Sequence, residues 1–387
     1  MCNGPVKILQ IQIGGKTFSG VASYLYQYYK HMDHTRVRYD FLFCRENSME
    51  LVQNDPVLEG SKFHVLNAKR GNSNDYRAIT RGVHKVLEAE HYDAVVVNTS
   101  IIAVIYACLL GTKGVPNIRF IAHAHNTDLV LGKGSVRAKL LPLFKAADSI
   151  LRKRICRRAD YLFACTEDAG RVTFGSEAVR SEKYRLIQNA IDTELFSFRE
   201  SVRKEIRNER QVDEETVVYG NVGSFCKRKN LPFLIRVFAR VHERQPNSQL
   251  WLIGDGSERK AIESLVSELK LEDAVWLCGQ RNDVNVLMQG MDCFVFSTLS
   301  EGLGIVAIEA QASGLPTVVS DGVPKDVLLT EKAIMLELGK GCEYWADEIL
   351  KLSVKTDRLT SQQCIIEAGF DIHNEAKKLT DFFCTAL

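Results

Sequence analysis

Short apolar runs of strand length recur along this chain, separated by segments with helical spacing, and the pattern runs through once and then starts again. In the first half the strand-like runs are 6–13, 39–44, 63–66, 94–98, 118–123 and 161–166. Apolar residues at helical spacing fill several gaps, most clearly at 21–32 and 76–90. Such alternation predicts a parallel sheet with helices packed on it. Residues 199–215 then carry eleven charged side chains and no long apolar period, which predicts a boundary between domains. Beyond it, strand-like runs resume at 217–222, 250–253, 275–278, 293–297 and 317–320. The expected fold class is α/β, with two doubly wound, Rossmann-like domains at 1–195 and 196–373. In open parallel sheets ligands bind outside the carboxyl ends of the strands. Two such edges facing one another make the cleft between the domains the expected site.

The bulk properties narrow the class of partner. A formal charge of +2 over 387 residues argues against a general nucleic-acid binder. The eleven cysteines include no C-x-x-C pair and no metal-type spacing, and their odd number suggests reduced thiols in a cytoplasm. The first residues lead straight into a strand without the pattern of a secretory leader. The longest apolar run, 101–110, is half of what a membrane span needs.

The residues that carry chemistry gather where strands end. Ser300-Glu301-Gly302-Leu303-Gly304-Ile305-Val306-Ala307-Ile308-Glu309 follows the run 293–297. Glu301 therefore falls in a turn at a carboxyl edge, and Glu309 on the helix that follows. The glycines allow close backbone approach, and the helix start offers free N–H groups to an anion. One carboxylate could grip sugar hydroxyls and the other a ribose diol; alternatively one caps the helix and the other faces solvent. Lys227-Arg228-Lys229 ends the first strand of the second half, either as a phosphate grip or as a solvated basic loop. Gly14-Gly15 after the first strand is neither a dinucleotide fingerprint nor a Walker A loop, and reads as a tight turn or a close approach to phosphate or sugar. His123-Ala124-His125-Asn126 ends another strand, with both histidines on one face. Arg281, just past a strand, could stack on a nucleobase or stand in a plain turn. Asp-x-Asp, the usual nucleotide–metal clasp, is absent. From Lys133 to Arg158 nine cations accompany one acid, with apolar residues interleaved. Pro142 is expected to split this stretch into two helices, which either dock on anionic lipid or pack on the core with a wet basic side.

Taken together these pieces resemble family 4 of the GT-B glycosyltransferases, in particular bacterial exopolysaccharide and capsule enzymes. The matching segments run in order: Gly14-Gly15; Ile121-Ala122-His123-Ala124-His125-Asn126; Ala164-Cys165-Thr166-Glu167; Asn189-Ala190-Ile191-Asp192; Lys229-Asn230; Gly254-Asp255-Gly256; and Glu301 with Glu309. The resemblance implies a retaining, metal-independent transfer from a nucleotide diphosphate sugar, by family habit a UDP-sugar, and no cofactor. It gives Glu309 the ribose, Glu301 the sugar hydroxyls, and the amides of Leu303, Gly304 and Ile305 the phosphates together with Lys229. His125 would stand near the sugar and Gly15 near the diphosphate. The acceptor, a glycan on a polyprenyl carrier at the inner membrane face, would bind the first domain. The last helix, 374–387, would cross back onto that domain, with Ala376, Leu379, Phe382 and Phe383 inward. Ser224 departs from the family, which often has Arg there; Lys227 or Arg228 could substitute. Two other readings share the fold: a non-hydrolysing UDP-N-acetylglucosamine epimerase, and a degenerate protein that binds nucleotide sugar without turning it over.

Overall fold

The structure, a computed structural model, describes residues 4–12, 20–43, 55–66, 75–125, 141–352 and 357–387. Two compact units emerge, Met1–Ala190 with Ile372–Leu387, and Ile191–Asp371. The crossing thus falls between Ala190 and Ile191, where 195 and 196 were expected, and the chain returns at Ile372.

The first unit is built on strands β1 (Val6–Gln12), β2 (Val37–Phe43), β3 (Phe63–Val65), β4 (Ala94–Asn98), β5 (Arg119–Ala124), β6 (Tyr161–Ala164) and β7 (Tyr184–Leu186). They pair in the order β3-β2-β1-β4-β5-β6-β7, all parallel. The period of two is visible in β1: Leu9 and Ile11 enter one core, and Ile8 enters the core on the other face. The final helix, Ile372–Ala386, lies on helix Gly20–His31 and buries Ile372, Ala376, Leu379 and Phe383 in that second core. Spacings of three and four residues put these four on one stripe.

The second unit holds β8 (Val217–Val222), β9 (Ser248–Ile253), β10 (Val275–Gly279), β11 (Cys293–Phe296), β12 (Thr317–Ser320) and β13 (Ala333–Leu336), paired β10-β9-β8-β11-β12-β13 and again parallel. In each sheet the winding reverses once, between β1 and β4 and between β8 and β11. Those reversals are the points where strand-end loops part and leave a crevice.

One expectation is corrected. The charged stretch at 199–215 is not a linker, because it lies inside the second unit and forms helix Glu200–Glu209. Two of its charges are used internally: Arg203 and Arg207 reach Asp292 at 2.5 and 3.0 Å and bond to the backbone carbonyl of Gly290. Arg207 is buried, yet its charge is matched by the carboxylate and carbonyls around it. The break expected at Pro142 turns on residues 126–140, which lie outside the described residues; from Leu141 on, helix Leu141–Arg158 is continuous. Among the described residues no helix is long and apolar enough to cross a membrane.

Candidate functional site

At the carboxyl edge of the second sheet, the loops after β8 and β11 meet. Lys229 Nζ and Arg228 Nη1 both reach Glu301 Oε1 at 2.6 Å. Thr298 Oγ1 donates to the same oxygen at 3.3 Å. The bond from Leu299 N–H to the Arg228 carbonyl at 2.8 Å fixes these loops against each other, and that from Glu301 N–H to the Gly322 carbonyl at 2.9 Å ties the second to the loop after β12. Burial pushes the Glu301 carboxyl up, but Lys229 and Arg228 outweigh it, so it lies below its ordinary range. Lys229 Nζ also stands 4.6 Å over the Phe296 ring. The Gly254-Asp255-Gly256 turn holds this loop from beneath. Phe225 N–H donates to the Asp255 carbonyl at 2.9 Å, and a Cβ on Gly254 would strike the Gly223 carbonyl.

The helix that follows β11, Ile305–Ala312, starts from Gly304 at φ +81°, a conformation that favours glycine. A Cβ there would also press on Val323 at 3.1 Å and Phe296 at 3.3 Å. No side chain caps this helix, and among the described residues the N–H groups of Leu303, Gly304 and Ile305 meet no acceptor. Four turn-spaced residues in, Glu309 is half-buried with no ion pair among the described residues. Burial raises its carboxyl from 4.5 to about 8, so it carries a proton at neutral pH.

Two expectations about the cations resolve here. Of the candidates beside Ser224, Arg228, although exposed, is the one that reaches Glu301 and the Ser300 carbonyl, the latter at 2.9 Å. Lys227 is exposed. Arg281, at the end of β10, is two strands from β8 and is held by Asp283 through two bonds of 2.8 and 2.6 Å. It does not touch the Glu301 cluster.

The first unit's edge has a different character. His125 lies one residue past β5 and is 6% exposed. Its Nε2 meets Asn98 Oδ1 at 3.1 Å, and its backbone N–H donates to Ser100 Oγ at 3.2 Å. Asn98 Nδ2 faces Gln10 Oε1 at 2.9 Å and the Ile11 carbonyl at 3.4 Å. A carbonyl can only accept, so the amide orientation is set and Nε2 is the protonated nitrogen. Nδ1 is then a buried acceptor with no partner among the described residues. Burial lowers the ring to about 3, so His125 is neutral. His123 and His125 lie with ring centres 4.0 Å apart and planes tilted by 36°, and Tyr24 lies edge-on to both at 5.1 Å. Gly15, Asn126 and the stretch from Lys133 to Leu140 lie outside the described residues.

Sequence reasoning missed Asn98 and Gln10. The signal was present: Asn98 ends an otherwise wholly apolar strand, Ala94-Val95-Val96-Val97, at the winding reversal.

Residues 18–195 match the family model described as Glycosyltransferase Family 4, and residues 202–333 match Glycosyl transferases group 1. EpsF of Bacillus subtilis, named as a glycosyltransferase, is 29% identical over 379 residues, covering 96% of this chain and 94% of its own length. A UDP-Gal:alpha-D-GlcNAc-diphosphoundecaprenol alpha-1,3-galactosyltransferase of Escherichia coli is 23% identical, over 78% of this chain and 77% of its own. Among solved structures, HepE of Anabaena in complex with UDP and glucose aligns with a TM-score of 0.72 at 20% identity, over 99% of this chain and 100% of that one. Sucrose-phosphate synthase of Thermosynechococcus elongatus aligns with a TM-score of 0.77 at 18% identity, over 98% and 99%. At such identities these two structures speak for the fold.

Proposed function

The chain belongs to the family 4 GT-B glycosyltransferases, and from that premise we propose that it moves a hexose or N-acetylhexosamine from a UDP-sugar to a polyprenyl-linked glycan, with retention, in surface-polysaccharide synthesis. The observation that carries the reading is the contact of Lys229 and Arg228 with Glu301 beside an uncapped helix start. Two cations and a set of free amides suit a diphosphate, and a carboxylate suits sugar hydroxyls. The E. coli relative's name pairs UDP-galactose with a diphosphoundecaprenol acceptor, and HepE was solved with UDP. Both favour a UDP-sugar donor here, and the first also favours the lipid-linked acceptor.

In this reading Glu301 exchanges its cations for the donor's hydroxyls, and Lys229 and Arg228 turn to the phosphates. Arg228 then supplies the charge that Ser224 lacks. The amides of Leu303, Gly304 and Ile305 take the charge that grows on the β-phosphate as the sugar departs. With side chains and amides neutralising the diphosphate, no metal ion and no cofactor is assigned a role. Glu309 takes the ribose. His125, neutral and held by Asn98, offers Nδ1 as an acceptor to a substrate hydroxyl. Helix Leu141–Arg158 exposes Ile150, Lys153, Arg154, Arg157 and Arg158, which suits a cytoplasmic-face anionic membrane.

A thermal-shift panel of UDP, GDP and their sugars is the first test. A ligand at 100 times its Kd adds about 2.7 kcal/mol of stability. A shift with UDP and one UDP-sugar is expected. Product formed without an acceptor would move the reading to an epimerase, and no shift with any nucleotide would move it to a degenerate binder.

A further inference from the structure

An apolar groove opens on the helix layer of the first unit, between helices Tyr76–Ala89, Ile102–Gly111 and Leu141–Arg158. It measures about 660 Å3, and Tyr76, Ala103, Tyr106, Ala107, Leu110 and Leu151 line it. Pockets of roughly 300–1,000 Å3 hold small ligands. Its direction follows from the packing. Thr80 Oγ1 donates to the Ala107 carbonyl at 3.0 Å, and His84 Nδ1 meets the Gly111 carbonyl at 3.1 Å. The first two helices therefore run side by side in the same sense. Helix Ile102–Gly111 starts just past the carboxyl end of β4, so the end marked by Tyr76 and Ala103 lies at the sheet edge that carries Asn98 and His125. Leu110 lies at the far end.

The rim is basic. Arg77 and Arg81 also line the groove, are exposed, and have no carboxylate partner among the described residues. Arg154 donates to the Tyr106 hydroxyl at 3.2 Å. Beside the groove's upper end Ile101 is 50% exposed. An apolar trough flanked by unpaired guanidinium groups suits an amphiphile with a phosphate head and one apolar tail.

The geometry points to a tail-binding groove: it takes the isoprenoid chain of a lipid-linked diphosphate acceptor, with Arg77 and Arg81 beside the phosphates. This rests on the polyprenyl-linked acceptor proposed above. The glycan then starts at the carboxyl edge, and the carrier lies along the helices.

Calorimetric titration of the full chain with farnesyl diphosphate and with inorganic diphosphate tests it. Burying several methylenes should make the farnesyl compound bind at least about tenfold tighter. Leu110→Gln with Leu151→Gln, and separately the rim variant Tyr76→Ser, should erode that gain, while the UDP-induced thermal shift stays as in the parent and reports an intact fold. Arg77→Ser with Arg81→Ser should weaken both ligands. Equal affinity for the two diphosphates, unchanged farnesyl binding in the groove variants, or a concentration-dependent dimer that those variants dissociate would each overturn the proposal. Farnesyl binding without transfer to any acceptor would sink the transferase reading and leave the groove standing.

Discussion

The two units share one strand order and one position for the winding reversal, yet their carboxyl edges are chemically opposite. At the second sheet the functional side chains are ionised and paired, Lys229 and Arg228 on Glu301. At the first they are buried and neutral, His125 on Asn98 on Gln10. Loops make the difference. The second edge supplies three successive cations and a carboxylate on flexible stems. The first ends its strands in amide and imidazole side chains set among Tyr24, His123 and the core. A common fold thus offers two kinds of site: one that works by charge and can regroup, and one that works by shape and a fixed proton.

Removing charge should therefore be most damaging at the second edge. Lys229→Met keeps the stem over Phe296 but deletes the proposed phosphate ligand. Loss of one preorganised donor of this kind costs about 10²–10³ in kcat. Glu301→Gln keeps the shape, frees both cations, and is expected to cut transfer strongly with the fold retained. Unchanged turnover in either variant, measured as release of UDP with acceptor present, would remove the charge-based reading of this edge.

Glu309 breaks the pattern within its own unit, being a carboxylate that burial holds protonated up to about pH 8. The folded chain then keeps a proton that the unfolded chain releases above its ordinary value of 4.5. Stability contributed at this position falls as pH rises from about 4.5 to about 8, and is level outside that window. Glu309→Gln mimics the protonated form. It should match the parent near the acid end of the window and exceed it by a few kcal/mol at most near the alkaline end, in unfolding curves collected across the range. A constant difference between the two proteins would show that Glu309 is ionised throughout.

How much of this was legible in the sequence follows from the same contrast. Buried parallel strands are mostly apolar, so β1, β4, β8 and β11 stood out, and with them the alternation that fixes the fold. The edge strand β7 is largely exposed and only Tyr184–Leu186 long, so it left no apolar run to find. Residues 199–215 misled because charge normally marks solvent, whereas Arg207 is spent on Asp292 inside the unit. The second edge was readable because its charges are contiguous: Lys227-Arg228-Lys229 and Glu301 declare themselves. Which cations reach Glu301 was not, because rotamers are settled by packing. Asn98 and Gln10 act on His125 from strands that only the sheet order brings together.

At the first edge the test is the opposite one, to add charge. Asn98→Asp places a carboxylate against His125 Nε2 and should raise the ring's pKa from about 3 toward its ordinary range, visible as an acid limb moving up in the pH profile of kcat/KM. Asn98→Ala leaves the Nε2–H without an acceptor, at a cost of about 1–3 kcal/mol in stability. A profile unmoved by Asn98→Asp would show that His125 is not poised by this contact.

The smallest effect is expected at Arg281, which lies apart from the Glu301 cluster of its own unit. Its bidentate pair with Asp283 is 37% and 39% exposed at the side chains. Such a pair contributes about 0–1 kcal/mol to folding, so Arg281→Ala should leave the unfolding midpoint almost in place. The pairing does something else: it holds the guanidinium plane of a side chain that is partly exposed. A nucleobase stacked there would gain about 0.5–1 kcal/mol, a two- to fivefold change in affinity. Arg281→Ala should weaken UDP binding by that factor without altering kcat, and Asp283→Asn should do the same more weakly by loosening the plane. Arg281→Lys keeps the charge and loses the plane, so it separates the two causes. If Lys restores UDP affinity, the residue acts by charge alone, as at Glu301. If Lys behaves like Ala, stacking is the contribution, and the second edge then combines mobile charge at the phosphates with a fixed surface for the base.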